Sequence, residues 1–317
     1  MSTAFLFPGQ GAQLVGMGAD IAATFDVAAK IFDRANEIVG FDLRQICFEG
    51  PAETLNTTTL SQPAIFATSA ALLEVLRTES ATQAIVPSIT AGLSLGEYTA
   101  LYAAGRISFE EGLTLVKRRG EAMQAAAEAS DGAMVSIIGL DEEKVRQLCE
   151  KAAEGDLLSA VNFNCPGQIV VSGTVAACER AAQLAPDHGA VKAIRLEVAG
   201  AFHTSMMTPA AETLGQALLE CDIKETAQVK TLANISADYY PDRQAIVDGL
   251  TSQLISPILW QKCMERLLAE GVGQFYEIGP GRVLTGLMRR INRKIRVINL
   301  SSAASLKTLI EARQATA

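Results

Sequence analysis

Short, wholly apolar runs alternate along the chain with longer stretches whose apolar residues recur every three or four positions, so strands and helices take turns. Ala4-Phe5-Leu6-Phe7 is the first such run and reads as a buried strand. Residues 20–39 and 61–79 carry helical spacing; in the second, Ala64, Ala67, Ala71, Leu72 and Val75 make the apolar stripe, with Pro63 expected in the first turn. Residues 89–92 form the next apolar run and lead through Ser94 into a helix-compatible stretch ending at Gly105. Ser108-Phe-Glu-Glu111 then has the capping-box pattern, opening a helix to about Ala127.

The middle of the chain has a different rhythm. Strands are predicted at 132–138, 157–163, 168–172 and 190–196, with helices at 141–153 and 174–186. That order, βαββαβ, is the ferredoxin-like unit. Beyond it come a helix over 209–220, a strand over 230–236, helical residues 246–268 broken near Pro257, and a strand over 274–278 that ends in Gly279-Pro280-Gly281. A helix over 284–291 and a final strand over 295–300 complete the pattern. Strands alternating with helices imply a mostly parallel sheet covered on both faces. The predicted fold is therefore α/β. Residues 1–128 and 198–317 form the larger domain, and residues 129–197 are inserted whole as a ferredoxin-like subdomain.

Gly92-Leu-Ser-Leu-Gly96, between a strand and a helix, is the context of a nucleophile elbow. The chain must reverse sharply with Ser94 at the apex, where the first helical N–H groups face developing negative charge. A glycine-serine loop that merely caps a helix has the same pattern, so a base is needed to decide. Pro8-Gly9-Gln10-Gly11, directly after the first strand, serves either as a plain turn or as a second oxyanion donor.

Composition narrows the chemistry. At 49% apolar and 20% charged residues, 317 residues make an ordinary globular protein of one large or two modest domains. The net charge of −8 argues against nucleic acid as a partner. No uninterrupted apolar run reaches the roughly 18 residues of a membrane span, and the N-terminus lacks a basic signal-peptide start. The six cysteines are scattered without a C-x-x-C, which points to a reduced, cytoplasmic protein with no metal site.

Only two histidines, His188 and His203, are available as a base. His188 lies in a polar turn, Pro186-Asp-His-Gly189, and reads as a solvated loop residue. His203 sits among small and apolar residues and is the better base for Ser94; its Nδ1–H then needs an acceptor, a backbone carbonyl or a side-chain amide. Arg119, third in Lys117-Arg-Arg119, is either part of a solvated basic stretch or a core-facing cation waiting for an anion.

Six motifs occur in the order and spacing of the malonyl-CoA:acyl carrier protein transacylases, which the chain resembles over essentially its whole length. They are Phe7-Pro-Gly-Gln-Gly-Ala-Gln13, Gly92-Leu-Ser-Leu-Gly-Glu-Tyr98, Val116-Lys-Arg-Arg-Gly120, Asn162-Phe-Asn-Cys-Pro-Gly-Gln168, Gly200-Ala-Phe-His203 and Glu277-Ile-Gly-Pro-Gly281. The resemblance implies an α/β-hydrolase-like larger domain in which Ser94 carries the acyl ester and His203 is base and then acid. It further implies an oxyanion hole from the Gln10 and Leu95 amides, Arg119 on the malonyl carboxylate, and the Gln253 carbonyl on His203. Met123 and Asn162 would line the pocket, and Phe202 would fill the space of an α-methyl group. Leu93 departs from the histidine that many members carry before the serine. The expected reaction moves malonyl from malonyl-CoA to the phosphopantetheine thiol of an acyl carrier protein, with no cofactor, in a monomer. Arg289, Arg290, Arg293 and Lys294 are the candidate basic patch for that acidic partner. The rival readings are a serine hydrolase or proofreading acyl hydrolase, and a trans-acting polyketide acyltransferase using another extender unit.

Overall fold

The computed structural model describes residues 2–315. Among these, nine strands form two sheets: β1 Thr3–Phe7, β2 Ile89–Gly92, β3 Gly132–Ile138, β4 Leu158–Cys165, β5 Gln168–Thr174, β6 Lys192–Arg195, β7 Lys230–Leu232, β8 Gln274–Ile278 and β9 Val297–Leu300. The first sheet is wholly parallel, in the order β7-β2-β1-β8-β9. Its central strand shows why both faces must be covered. Phe5 and Phe7 enter one apolar core with the Thr58–Thr78 and Phe109–Glu128 helices, while Ala4 and Leu6 enter another with the Trp260–Ala269 and Val283–Ile291 helices. Register sets Phe7 opposite Gly92 and Leu6 opposite Glu277. The turns that follow β1, β2 and β8 therefore gather at the carboxyl edge, where open parallel sheets bind ligands.

The second sheet is antiparallel, in the order β4-β5-β3-β6. With the Glu142–Ala153 and Val175–Leu184 helices it has the ferredoxin-like arrangement and its own core around Val135, Ile137, Leu148 and Val171. Three helix starts carry side-chain caps: Ser108 accepts from the Glu111 amide, the one half of the expected capping box that forms, Asp141 accepts from Lys144 and Thr174 from Ala177. Each such cap is worth about 1 kcal/mol. The second sheet is tied to the first layer by Ile258, whose amide donates to Val161 O (2.7 Å) and whose carbonyl accepts from Phe163 N (2.9 Å).

Four expectations change. Pro63 is inside a helix that begins at Thr58, so the polar run Thr58-Thr-Leu-Ser-Gln62 is helical up to it: Thr58, Ser61 and Gln62 are buried, and tertiary contacts outweigh the lost N–H. β7 stops at Leu232 because Asn234 turns into the site described below. The chain does not end on a strand; the Ala303–Gln314 helix follows, opened by a Ser302–Ser305 capping box. His188 is not a freely solvated residue: it ends a short 3₁₀ turn, and its Nδ1 lies 3.0 Å from Leu184 O. The Thr58–Thr78 helix is long and apolar enough to cross a membrane, yet 83% of its most apolar window is buried in the core.

Candidate active site

The elbow depends on two glycines. A Cβ on Gly92 would lie 1.9 Å from Gly96 C, and one on Gly96 would lie 2.1 Å from Phe7 O, so the arms of the turn and the end of β1 touch backbone to backbone. At the apex Ser94 has φ 50°, and His203 has φ 63°; they are two of only four non-glycine residues with left-handed φ among the described residues. Such conformations cost energy and persist where neighbours hold them. For Ser94 the holder is Asn234, whose Oδ1 accepts from Ser94 N (2.7 Å) while its Nδ2 donates to Gly92 O (2.7 Å).

Ser94 Oγ lies 3.1 Å from His203 Nε2, and His203 Nδ1 lies 2.7 Å from the Gln253 carbonyl oxygen. A carbonyl can only accept, so Nδ1 carries the proton and Nε2 is free to take one from serine. His203 is 6% exposed. Burial pulls its pKa down to about 4; the Gln253 bond opposes this, and the Arg119 charge adds to it. The base stays neutral through the mildly acidic range. We expect kcat/KM for acylation to show no His203 titration between pH 8 and 5 and to fall as pH drops through about 4. A profile already halved at the ordinary histidine pKa would contradict this assignment.

Arg119 is 1% exposed. Its Nη1 donates to Gln62 Oε1 (2.7 Å), and its Nη2 to Ser94 Oγ (3.0 Å) and Gln253 Oε1 (3.0 Å). The guanidinium lies over Tyr98 at 5.6 Å, its Nε has no partner, and among the described residues it forms no ion pair. A buried cation held only by neutral oxygens beside a serine hydroxyl has the charge to take an anion. The Gln10 and Leu95 amides, at the ends of the turns after β1 and β2, donate to no protein acceptor among the described residues. That leaves two backbone donors for an oxyanion. No group of three or more acidic, histidine or cysteine side chains is placed to hold a metal among the described residues.

The chain has matches among known proteins. The acyl transferase domain family model matches residues 4–315. The chain belongs to the acyl transferase family. The malonyl CoA-acyl carrier protein transacylase of Bacillus subtilis is 44% identical over 309 residues, 97% of this chain and 96% of that protein. The Escherichia coli K12 protein of the same name is 40% identical over 308 residues, 97% and 98%. Among solved structures, a malonyl-transacylase in complex with a type II polyketide synthase acyl-carrier protein superposes with a TM-score of 0.94 at 40% identity, covering 98% of this chain and 100% of that one. The Coxiella burnetii malonyl CoA-acyl carrier protein transacylase superposes with a TM-score of 0.93 at 34% identity, covering 98% and 97%.

The other residues singled out from the acyltransferase's sequence are spread around this cluster. Met123 is buried, its sulfur 3.4 Å from Gln62 Nε2, one step from Arg119. Phe202 is buried in the core beside His203. Asn162 lies in β4 where the register shifts, paired with Ile258, and no hydrogen bond joins its side chain to the Ser94 cluster among the described residues. Leu93, where a histidine was the alternative, packs on the second apolar core. Arg290 is committed elsewhere: it donates to Gln168 Oε1 (2.8 Å) and to Gly167 O (3.2 Å), tethering the β4–β5 turn.

Sequence reasoning missed four residues of the site: Gln62, Glu97, Asn234 and Tyr240. Glu97 had a visible signal, an acid in the first turn of a helix whose next four residues are all buried. It is fully buried, and burial pushes its pKa up to about 7 against hydrogen bonds from Tyr240, Gln253 and Asn234 and the Arg119 charge.

Proposed function

We propose that the enzyme transfers malonyl from malonyl-CoA to the phosphopantetheine thiol of an acyl carrier protein through an ester on Ser94. The observation that carries this reading is Arg119: a buried guanidinium 3.0 Å from the serine oxygen, with no carboxylate among the described residues paired to it. An acyl group ending in a carboxylate would supply the missing charge. A hydrolase of plain esters has no use for it.

In the first half-reaction Ser94 Oγ attacks the thioester carbon and its proton passes to His203 Nε2. The Gln10 and Leu95 amides receive the oxyanion. The C–S bond breaks, and the departing sulfur takes the proton from Nε2. The second half runs the same steps in reverse with the carrier thiol as nucleophile. Met123 and Phe202 bound the acyl pocket in this reading, and Asn162 lines its approach from the second sheet. CoA and phosphopantetheine arrive with the two substrates, so no further cofactor takes part. With Arg290 tethered to the β4–β5 turn, Arg289, Arg293 and Lys294 remain of the basic patch for the acidic carrier.

Incubating the enzyme with malonyl-CoA and weighing the intact protein tests the reading. One malonyl adduct is expected, discharged by holo carrier protein much faster than by water. No adduct, or discharge to free malonate at the same rate with and without carrier, would sink it.

A further inference from the structure

We infer that Glu97 is a positioning residue that sets acyl selectivity, by fixing which end of the Gln253 amide faces Arg119. This rests on the reading that Arg119 receives the acyl carboxylate.

Gln253 is where three parts of the site meet. Its backbone oxygen accepts from His203, its Oε1 accepts from Arg119 Nη2, and its Nε2 donates to Glu97 Oε2 (2.7 Å) and to Ser94 O (3.2 Å). An amide side chain has one accepting end and one donating end, and either can be turned to a given neighbour. Here the neighbours decide. On one side stand only acceptors, a carboxylate and a carbonyl; on the other stands a guanidinium, which can only donate. Without Glu97 the amide keeps one longer bond, to Ser94 O, and can turn over. Its NH2 would then face Arg119 donor to donor, and the guanidinium would lose one of the oxygens that aim it.

Glu97 is itself held from both ends. Tyr240 Oη donates to its Oε1, and Asn234 N donates to its Oε2 (3.2 Å). Asn234 is the residue that holds the Ser94 and Gly92 backbone. The acid is thus at the centre of one buried network linking nucleophile, base and anion receptor, yet it touches no reacting atom. What the network requires of Glu97 is an acceptor toward Gln253, and not a charge: a glutamine oxygen would serve there, its NH2 turned to the Tyr240 hydroxyl.

The test compares Glu97→Met, of similar volume and without a comparable acceptor, with Glu97→Gln. The readout is the ratio of kcat/KM for malonyl-CoA to that for acetyl-CoA in adduct formation. We expect Glu97→Met to lower the ratio roughly ten- to a hundredfold, with the loss on the malonyl side, and Glu97→Gln to stay within about threefold of wild type. A folded Glu97→Met enzyme with an unchanged ratio overturns the inference. So does a Glu97→Gln loss as deep as that of Met, or a parallel fall for acetyl-CoA, which would report a displaced His203. If Glu97→Met does not fold, Gln253→Met carries the test, since it removes the amide and keeps the backbone carbonyl; an unchanged ratio there is equally decisive against it. Failure of the wild type to prefer malonyl-CoA at all would instead refute the proposed function.

Discussion

Ser94→Ala is expected to abolish the malonyl adduct and to lower transfer to carrier protein by roughly 10⁵–10⁶-fold, the scale on which loss of a serine nucleophile is felt when base and oxyanion donors remain. The variant should fold. Alanine at φ 50° is no better suited to that backbone than serine, but the Asn234 bonds that hold the turn are made to main-chain atoms and survive the change. Arg119 Nη2 would lose one acceptor and keep Gln253 Oε1. Binding of malonyl-CoA should therefore persist while chemistry stops. Intact mass, transfer kinetics and a binding titration on the same preparation check all three. An adduct on the alanine enzyme, or transfer within about a hundredfold of wild type, would place the ester on another residue.

The expected loss is so complete because the elbow does nothing that another group duplicates. In the proposed mechanism two backbone amides take the oxyanion, and one neutral imidazole takes the proton. That machinery was legible in the chain: the strand–Gly-x-Ser-x-Gly–helix succession marks the turn, and a count of two histidines leaves His203 as the practical base. The strands at 132–138 and 274–278 coincide with β3 and β8 because each is a short apolar run bounded by turn residues. What holds the machinery in place was not legible. Asn234 reaches across 142 residues to Gly92, and Glu97 meets Gln253 across 156, with nothing local to announce either pair. The helix starts at Thr58, three residues before the apolar spacing shows, for the same reason: Gln62 is buried in it to meet Arg119, a partner 57 positions away. Local rules describe the frame; the buried polar contacts that aim the site are tertiary.

Arg119→Ala is expected to lower kcat/KM for malonyl-CoA by roughly 10²–10⁴-fold, the cost of leaving a desolvated carboxylate without its charged partner. Acetyl-CoA, which brings no carboxylate, should load onto Ser94 at least as well as in wild type. The preference would thus invert, which a general weakening of the fold cannot do. Arg119→Lys separates charge from shape. An ammonium restores a positive end but not the planar fork that here spans Gln62 on one nitrogen and Ser94 and Gln253 on the other, so partial recovery is expected. The alanine variant also strands the Gln62 and Gln253 oxygens in a cavity, and its melting temperature should fall. That loss of stability is read separately from selectivity, because acetyl loading reports whether Ser94 and His203 are still in place. If malonyl and acetyl loading fell together, the guanidinium would be a structural strut. If neither changed, the carboxylate would be bound elsewhere. An inverted preference leaves one account: the buried cation that has no ion-pair partner among the described residues is the group that chooses the acyl chain.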